Sequence, residues 1–190
     1  MNVIAFNGSP NKEGNTYQLI RYALTEIEKE GIKTEIIQIG GQTVNPCTAC
    51  GKCFENLDRQ CVQEKDIVNE CIEKMVKADA ILIGSPTYFA SVTPEIKAFM
   101  DRVFFVAMAN GALFNRKLGA AIAAERRAGA VCVLDTINHY FGISGMFSAG
   151  SSYWSLGIGL EPGDVKRDEE GILTMKQLGE NIAWFIRSIH

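Results

Sequence analysis

Apolar and polar positions along this chain follow two periods, and the places where one gives way to the other mark its elements. Val3-Ile4-Ala5-Phe6 is an unbroken apolar run within residues 2–7 and predicts a first strand. Residues 15–30 predict a helix. Thr34-Glu35-Ile36-Ile37-Gln38-Ile39 alternates and is rich in β-branched residues, so it predicts a second strand. Over residues 65–77, Ile67, Val68, Cys71, Ile72, Met75 and Val76 fall on one stripe of a helix. Ala80-Ile81-Leu82-Ile83-Gly84 is short and wholly apolar, as expected at the centre of a parallel sheet. Pro94 opens a helix that runs through about Val106, because proline suits the first helical turn. Lys117 to Ala124 predicts strand four, and Gly129 to Ile143 a further helix. Met146 to Trp154 contains a fifth strand, and Ile172 to Ile189 is a closing helix.

Strands interleaved with helices in this order predict an α/β fold. Its architecture is a doubly wound, five-stranded parallel sheet with helices on both faces. Residues 40–62 read as an irregular loop that carries cysteines, within a single domain spanning residues 1–190. There is no internal repeat.

In doubly wound sheets ligands bind at the carboxyl ends of the strands. Three loops leave such ends here: 8–16, 85–93 and 125–129. The first is Gly8-Ser9-Pro10-Asn11-Lys12-Glu13-Gly14-Asn15-Thr16. A polar, glycine-bearing turn ahead of a helix N-terminus is an anion cradle, because unpaired N–H groups and the helix dipole both favour negative charge. It carries neither a Walker Gly-Lys-Ser/Thr nor a dinucleotide fingerprint, so a phosphomonoester suits it better than a pyrophosphate. The competing reading is a plain capped helix start with Asn15 or Thr16 as N-cap. The second loop, Ser85-Pro86-Thr87-Tyr88-Phe89, sets two adjacent aromatics on a proline-stiffened turn, suited either to a flat heteroaromatic ring or to packing.

Composition narrows the partners. Net charge is −3, from 19 basic and 22 acidic residues, which predicts no nucleic-acid partner and no anionic membrane partner. The N-terminus has no basic segment followed by an apolar run, so no signal peptide and a cytoplasmic protein are expected. His139 sits mid-helix and His190 ends the chain; no histidine-based catalytic arrangement emerges.

The chain has 6 cysteines. Cys47, Cys50, Cys53 and Cys61 form a C-x2-C-x2-C-x7-C series, a spacing suited to ligands wrapping one cluster rather than to zinc, which takes two separated pairs. Reduced, metal-free thiols or a labile disulfide are the competing reading. Cys71 and Cys132 lie in apolar helical runs and are expected to be small core residues. The 84–114 stretch carries Tyr88, Phe89, Phe99, Met100, Phe104, Phe105, Met108 and Phe114. That is more apolar surface than one helix needs for its own core face, and it predicts a homodimer or homotetramer.

With these segments in view, the chain resembles the flavodoxin-like NAD(P)H-dependent FMN reductase family, and within it the iron–sulfur flavoprotein branch. The carriers are Gly8-Ser9-Pro10 with Gly14-Asn15-Thr16, Gly84 to Phe89, and Lys97 with Asp101-Arg102. Ser152-Tyr153-Trp154 and Leu178-Gly179-Glu180-Asn181 add to them. The resemblance implies that Ser9, Asn15 and Thr16 hold the phosphate of FMN, with Pro10, Asn11 and Tyr17 in the same cofactor loop. It implies that Pro86, Thr87, Tyr88 and Phe89 line the ribityl chain and the ring. Glu125 and Arg126 complete the cofactor set, in a segment that has one glycine fewer than the family commonly shows. Arg126 or Arg127 would favour negative charge on reduced flavin.

The resemblance further implies that Cys47, Cys50, Cys53 and Cys61 carry a 4Fe–4S cluster. The expected function is an oxidoreductase that accepts hydride from NAD(P)H on FMN and passes electrons to a second acceptor, which the residues do not name. The alternative is an electron carrier between ferredoxin-like donors and a partner, without an organic substrate of its own.

Overall fold

The computed structural model describes residues 1–189; His190 lies outside them. The order is β1 (Asn2–Asn7), α1 (Asn15–Lys29), β2 (Lys33–Gln38), α2 (Lys52–Asn56), α3 (Val68–Lys77), β3 (Ala80–Pro86) and α4 (Pro94–Ala109). Then follow β4 (Leu118–Glu125), α5 (Ala130–Ile143), β5 (Phe147–Ser148), β6 (Leu156–Ile158), a 3₁₀ turn (Asp164–Arg167) and α6 (Glu169–Ile189). All pairings in the sheet are parallel, in the order β2-β1-β3-β4, and β4 is flanked on its far side by β5 and β6.

The period of two in the strands sorts the core into two layers. From β1 and β3, Ile4, Phe6, Ile81 and Ile83 face α3, α4 and α5. Val3, Ala5, Ala80 and Leu82 face α1 and α6 instead. The chain winds outward from β1 in both directions, so the carboxyl ends of β1 and β3 lie side by side at the reversal of strand order.

Two refinements of the expected architecture have local causes. The fifth strand position is broken: β5 pairs with Leu118–Gly119, whereas β6 pairs with Ala123–Glu125 at the other end of β4. Residues 149–155 run between the two pieces, so the aromatic Tyr153 and Trp154 stand outside the sheet, both exposed. The cysteine loop is also not wholly irregular. It folds one short helix, α2, whose N-cap is the left-handed Gly51.

Cys71 is core as expected, and burial pushes its thiol up to about 12. Cys132 is not: it is exposed. The 3.6-residue period puts Ala130, Val133, Leu134, Ile137 and Phe141 on the inner face of α5, which turns position 132 outward. The aromatic stretch divides in the same way. Phe99, Met100, Phe104 and Phe114 are buried, whereas Tyr88, Phe89, Phe105 and Met108 are exposed. No helix among the described residues is long and apolar enough to cross a membrane.

Candidate functional site: a cleft at the switch point and a cysteine cavity

The loop after β1 is shaped by two side chains that sequence reasoning passed over. Buried Asn7 accepts a hydrogen bond from the Ser9 N–H at 3.1 Å and donates to Gln38 at 2.8 Å. Gln38 donates onward to the carbonyls of Ser9 and Gly40, each at 2.6 Å. The only signal available in the sequence was a polar residue closing each of two strands. The Ser9 hydroxyl then accepts the Asn11 N–H at 3.2 Å.

Helix α1 begins without a side-chain cap and with no acidic residue in its first turn, so its N-terminal field is not neutralised locally. Its N-cap is Gly14, not Asn15 or Thr16. Thr16 is 1% exposed, and its hydroxyl oxygen has no hydrogen-bond partner. Glycine at 84 permits that placement, since a Cβ there would stand 3.0 Å from Thr16 Cγ2. An orphaned buried hydroxyl costs free energy unless something else bonds to it.

Asn15 spends its side chain elsewhere. It donates to the Glu161 carbonyl at 3.0 Å and accepts from the Gly163 N–H at 2.8 Å. This fastens the loop after β6 over the helix start and makes Gly159, Leu160 and Pro162 part of the cleft wall. Those residues were missed because nothing local in 159–162 marks them. Tyr17 is turned onto a neighbouring groove beside Lys12 and Arg21 and does not line the cleft.

The loop after β3 is pinned from three sides. The Thr93 hydroxyl donates to the Gly8 carbonyl at 2.9 Å, the Thr93 N–H donates to Ser85 Oγ at 3.1 Å, and the Thr87 N–H donates to the Ala124 carbonyl at 2.8 Å. Thr87 Oγ1, like that of Thr16, is buried and unpartnered. Tyr88 and Ser91 exchange backbone bonds, each 2.9 Å, around a two-residue turn. Its central residues Phe89 and Ala90 both have positive φ, 48° and 59°, which is costly for side chains with a Cβ. Phe89 is fully exposed at the tip and is not part of the cleft wall.

Glu125 ends β4 at the cleft, but its carboxylate accepts the Ala130 N–H at 2.8 Å and so neutralises the start of α5. Arg126 is exposed and lines the cleft; Arg127 lines a second groove with Tyr153 and Trp154. Gly129 has φ 101°, and a Cβ there would stand 2.9 Å from Thr87 Cγ2, so glycine lets the two loops meet. The cleft so formed, about 240 Å³, brings together Ser9, Pro10, Asn11, Asn15, Thr16, Pro86, Thr87, Tyr88, Glu125 and Arg126.

The four cysteines of the loop line one cavity, together with Arg102, Phe105 and Val106 of α4. Cys47 and Cys50 are exposed, Cys53 and Cys61 half-buried. The Lys52 backbone N–H holds the Cys50 thiol below its usual range, and burial raises that of Cys53. Phe54 of α2 packs edge-on against Phe105 at 5.3 Å. No group of three His, Cys, Asp or Glu among the described residues is arranged to hold a single metal ion. A cluster of several irons spreads its thiolates more widely than one ion does, so four cysteines on one cavity suit a cluster better than a lone metal. Arg102 lies eight residues after Pro94, so the cavity stands about 12 Å down the axis of α4 from the cleft loop. Asp101, the neighbour of Arg102, instead pairs with Lys97 at 2.7 Å and with the Tyr140 hydroxyl, outside both cavities.

Comparison with known proteins agrees with this geometry. Residues 1–161 match the model of the family described as NADPH-dependent FMN reductase. An iron–sulfur flavoprotein of Methanocaldococcus jannaschii is 37% identical over 100% of this chain and 99% of its own. An iron–sulfur flavoprotein of Methanosarcina thermophila is 30% identical over 96% of this chain and 93% of its own. Among solved structures, RosB with a bound 8-demethyl-8-formylriboflavin-5'-phosphate intermediate has a TM-score of 0.73 at 17% identity, covering 100% of this chain and 80% of that one. An archaeal flavodoxin has a TM-score of 0.64 at 18% identity, covering 98% and 99%. At these identities the structures speak for the fold alone, which is flavodoxin-like. With its family model matched over residues 1–161 and its likeness to iron–sulfur flavoproteins running the whole length, the chain belongs to the NADPH-dependent FMN reductase family.

Proposed function

We propose that the protein is an FMN-dependent oxidoreductase that takes hydride from NAD(P)H and hands electrons to a second acceptor. The observation that carries this reading is the pair of orphaned buried hydroxyls, Thr16 and Thr87, facing one cleft beside an uncapped helix start. The Ser9 and Thr16 hydroxyls and the α1 N-terminus suit a phosphate monoester. Bound there, FMN supplies a ring that accepts a hydride and releases electrons.

The chain's part is binding and orientation. Ser9, Thr16 and the first amides of α1 take the phosphate, while Pro86, Thr87 and Tyr88 line the remainder of the cleft. Arg126, exposed at the cleft edge, favours negative charge on the bound cofactor. Because Glu125 is committed to the start of α5, it orders the loop around Arg126 rather than acting as a base. Hydride transfer to a flavin requires no protein base.

A second reading is favoured by the cysteines. Cys47, Cys50, Cys53 and Cys61 line one cavity and would hold a 4Fe–4S cluster, which passes single electrons. On this reading the protein carries electrons between a ferredoxin-like donor and a partner. One experiment separates the two. FMN-loaded protein is mixed anaerobically with NADH, with NADPH and with reduced ferredoxin, and flavin bleaching is followed. Bleaching by a nicotinamide within minutes supports the oxidoreductase. Bleaching by ferredoxin alone replaces it with the carrier.

A further inference from the structure

Arg102 is the largest fully buried side chain among the described residues, and it lies outside the cleft wall. A guanidinium is rarely buried unless its fork of donors is matched. Here every direction of the fork meets a different part of the cysteine loop. Nη1 pairs with the Asp66 carboxylate and reaches the Asn45 carbonyl at 3.3 Å. Nη2 donates to the Gln63 carbonyl at 2.7 Å. Nε donates to the Cys61 sulfur at 3.4 Å.

Bracing the loop accounts for the first three of these bonds, because Asn45 precedes the cysteines and Gln63 and Asp66 follow them. It does not account for the fourth. The Cys61 backbone is held independently by Asn69, which accepts its N–H and donates to its carbonyl, both at 2.8 Å. The Nε···Sγ bond therefore acts on the sulfur itself. Among the described residues lining the cavity, Arg102 is also the one cationic side chain.

We infer that Arg102 positions the Cys61 sulfur and, through a fixed N–H donor and positive charge, raises the reduction potential of the group the four cysteines hold. The inference rests on the reading that they hold an iron–sulfur cluster. One-electron reduction adds one negative charge to such a group. A donor aimed at a ligand sulfur favours the more negative state and retains the ligand.

The test uses the full chain, purified anaerobically and reconstituted with iron and sulfide. Wild type, Arg102→Lys and Asp66→Asn are compared by iron and acid-labile sulfide content, by FMN content, and by spectroelectrochemical titration. Arg102→Lys keeps the charge but loses the fork, so its potential falls. It yields iron to a chelator on the order of tenfold faster, with FMN content unchanged. Asp66→Asn leaves Arg102 in place and removes the opposing charge, so its potential stays or rises. A simple brace would move both variants the same way, and that result, or an unshifted Arg102→Lys, overturns the inference. A wild type that takes up no iron or sulfide overturns the cluster reading first, and this inference with it. If Arg102→Lys loses FMN as well, the neutral pair Asp66→Asn with Arg102→Gln decides: a lowered potential supports the inference and a wild-type potential overturns it.

Discussion

The Thr93 hydroxyl donates to the carbonyl of Gly8 at 2.9 Å, and both groups are buried. This single bond ties the loop after β3 to the loop after β1 at the point where the sheet reverses its order. Thr93→Val keeps the shape and leaves the carbonyl without its partner. The loss is about 1–3 kcal/mol of stability, as for a buried acceptor left unsatisfied. FMN binding weakens with it, because both walls of the cleft lose their common anchor. Urea unfolding and fluorescence titration with FMN check the two effects. A variant with wild-type values in both assays contradicts the assigned role.

Thr16 gives the opposite pattern. Its hydroxyl has no partner within the protein, so Thr16→Val removes an unsatisfied group. The FMN-free protein is expected to unfold at the same temperature as wild type or slightly higher. FMN binding is expected to weaken by roughly 1–3 kcal/mol, the worth of a donor to an anion. Calorimetric melting without FMN and titration with it give both numbers. Destabilisation of the FMN-free form would show that the hydroxyl serves the fold rather than the ligand.

Asp164 holds the loop that Asn15 fastens over the cleft. The Glu161 N–H, at 2.8 Å, and the Leu160 N–H hold its carboxyl below the ordinary 3.8. A carboxylate whose folded pKa is depressed stabilises the fold fully above its unfolded pKa and loses that contribution as pH falls through the folded value. The melting gap between wild type and Asp164→Asn is therefore expected to be constant above pH 3.8 and to close below it. A gap that persists at lower pH would mean that the N–H bonds do not depend on the charge.

Tyr88, Phe89, Phe105 and Met108 are exposed on the loop and helix that begin at the cleft, with Phe54 and Leu57 of the cysteine loop exposed nearby on α2 and just beyond it. Apolar groups at this density mark an association surface. Light scattering at micromolar concentration is expected to give a dimer or a tetramer. Phe105→Glu, on the exposed side of α4, is expected to shift the mass toward monomer. A monomeric wild type would contradict the assignment.

The elements were legible in the sequence because they rest on local rules. Ala80 to Gly84 is short and wholly apolar, as a central strand is; Pro94 suits a first helical turn; and the polar turn after Phe6 precedes a helix start, where an anion is favoured. The gathering of loops 8–16, 85–93 and 125–129 also followed from the sequence, since alternating strands and helices force parallel strands whose carboxyl ends share one side. What each polar side chain does in that place was not legible. Asn15 and Glu161 are 146 positions apart, and no local pattern announces that one binds the other rather than a phosphate. Glu125 lines the cleft, yet its carboxylate accepts the Ala130 N–H, and only the folding of α5 back onto the end of β4 makes that bond. Nothing local to Arg102, which follows Asp101 within a helical run, marks it for burial. Only the packing of the cysteine loop against α4 buries it and brings it to Cys61. Periodicity and turn chemistry are properties of neighbouring residues and survive in the sequence. The pairing of buried polar groups is settled by which distant segments the core presses together, and that belongs to the tertiary structure alone.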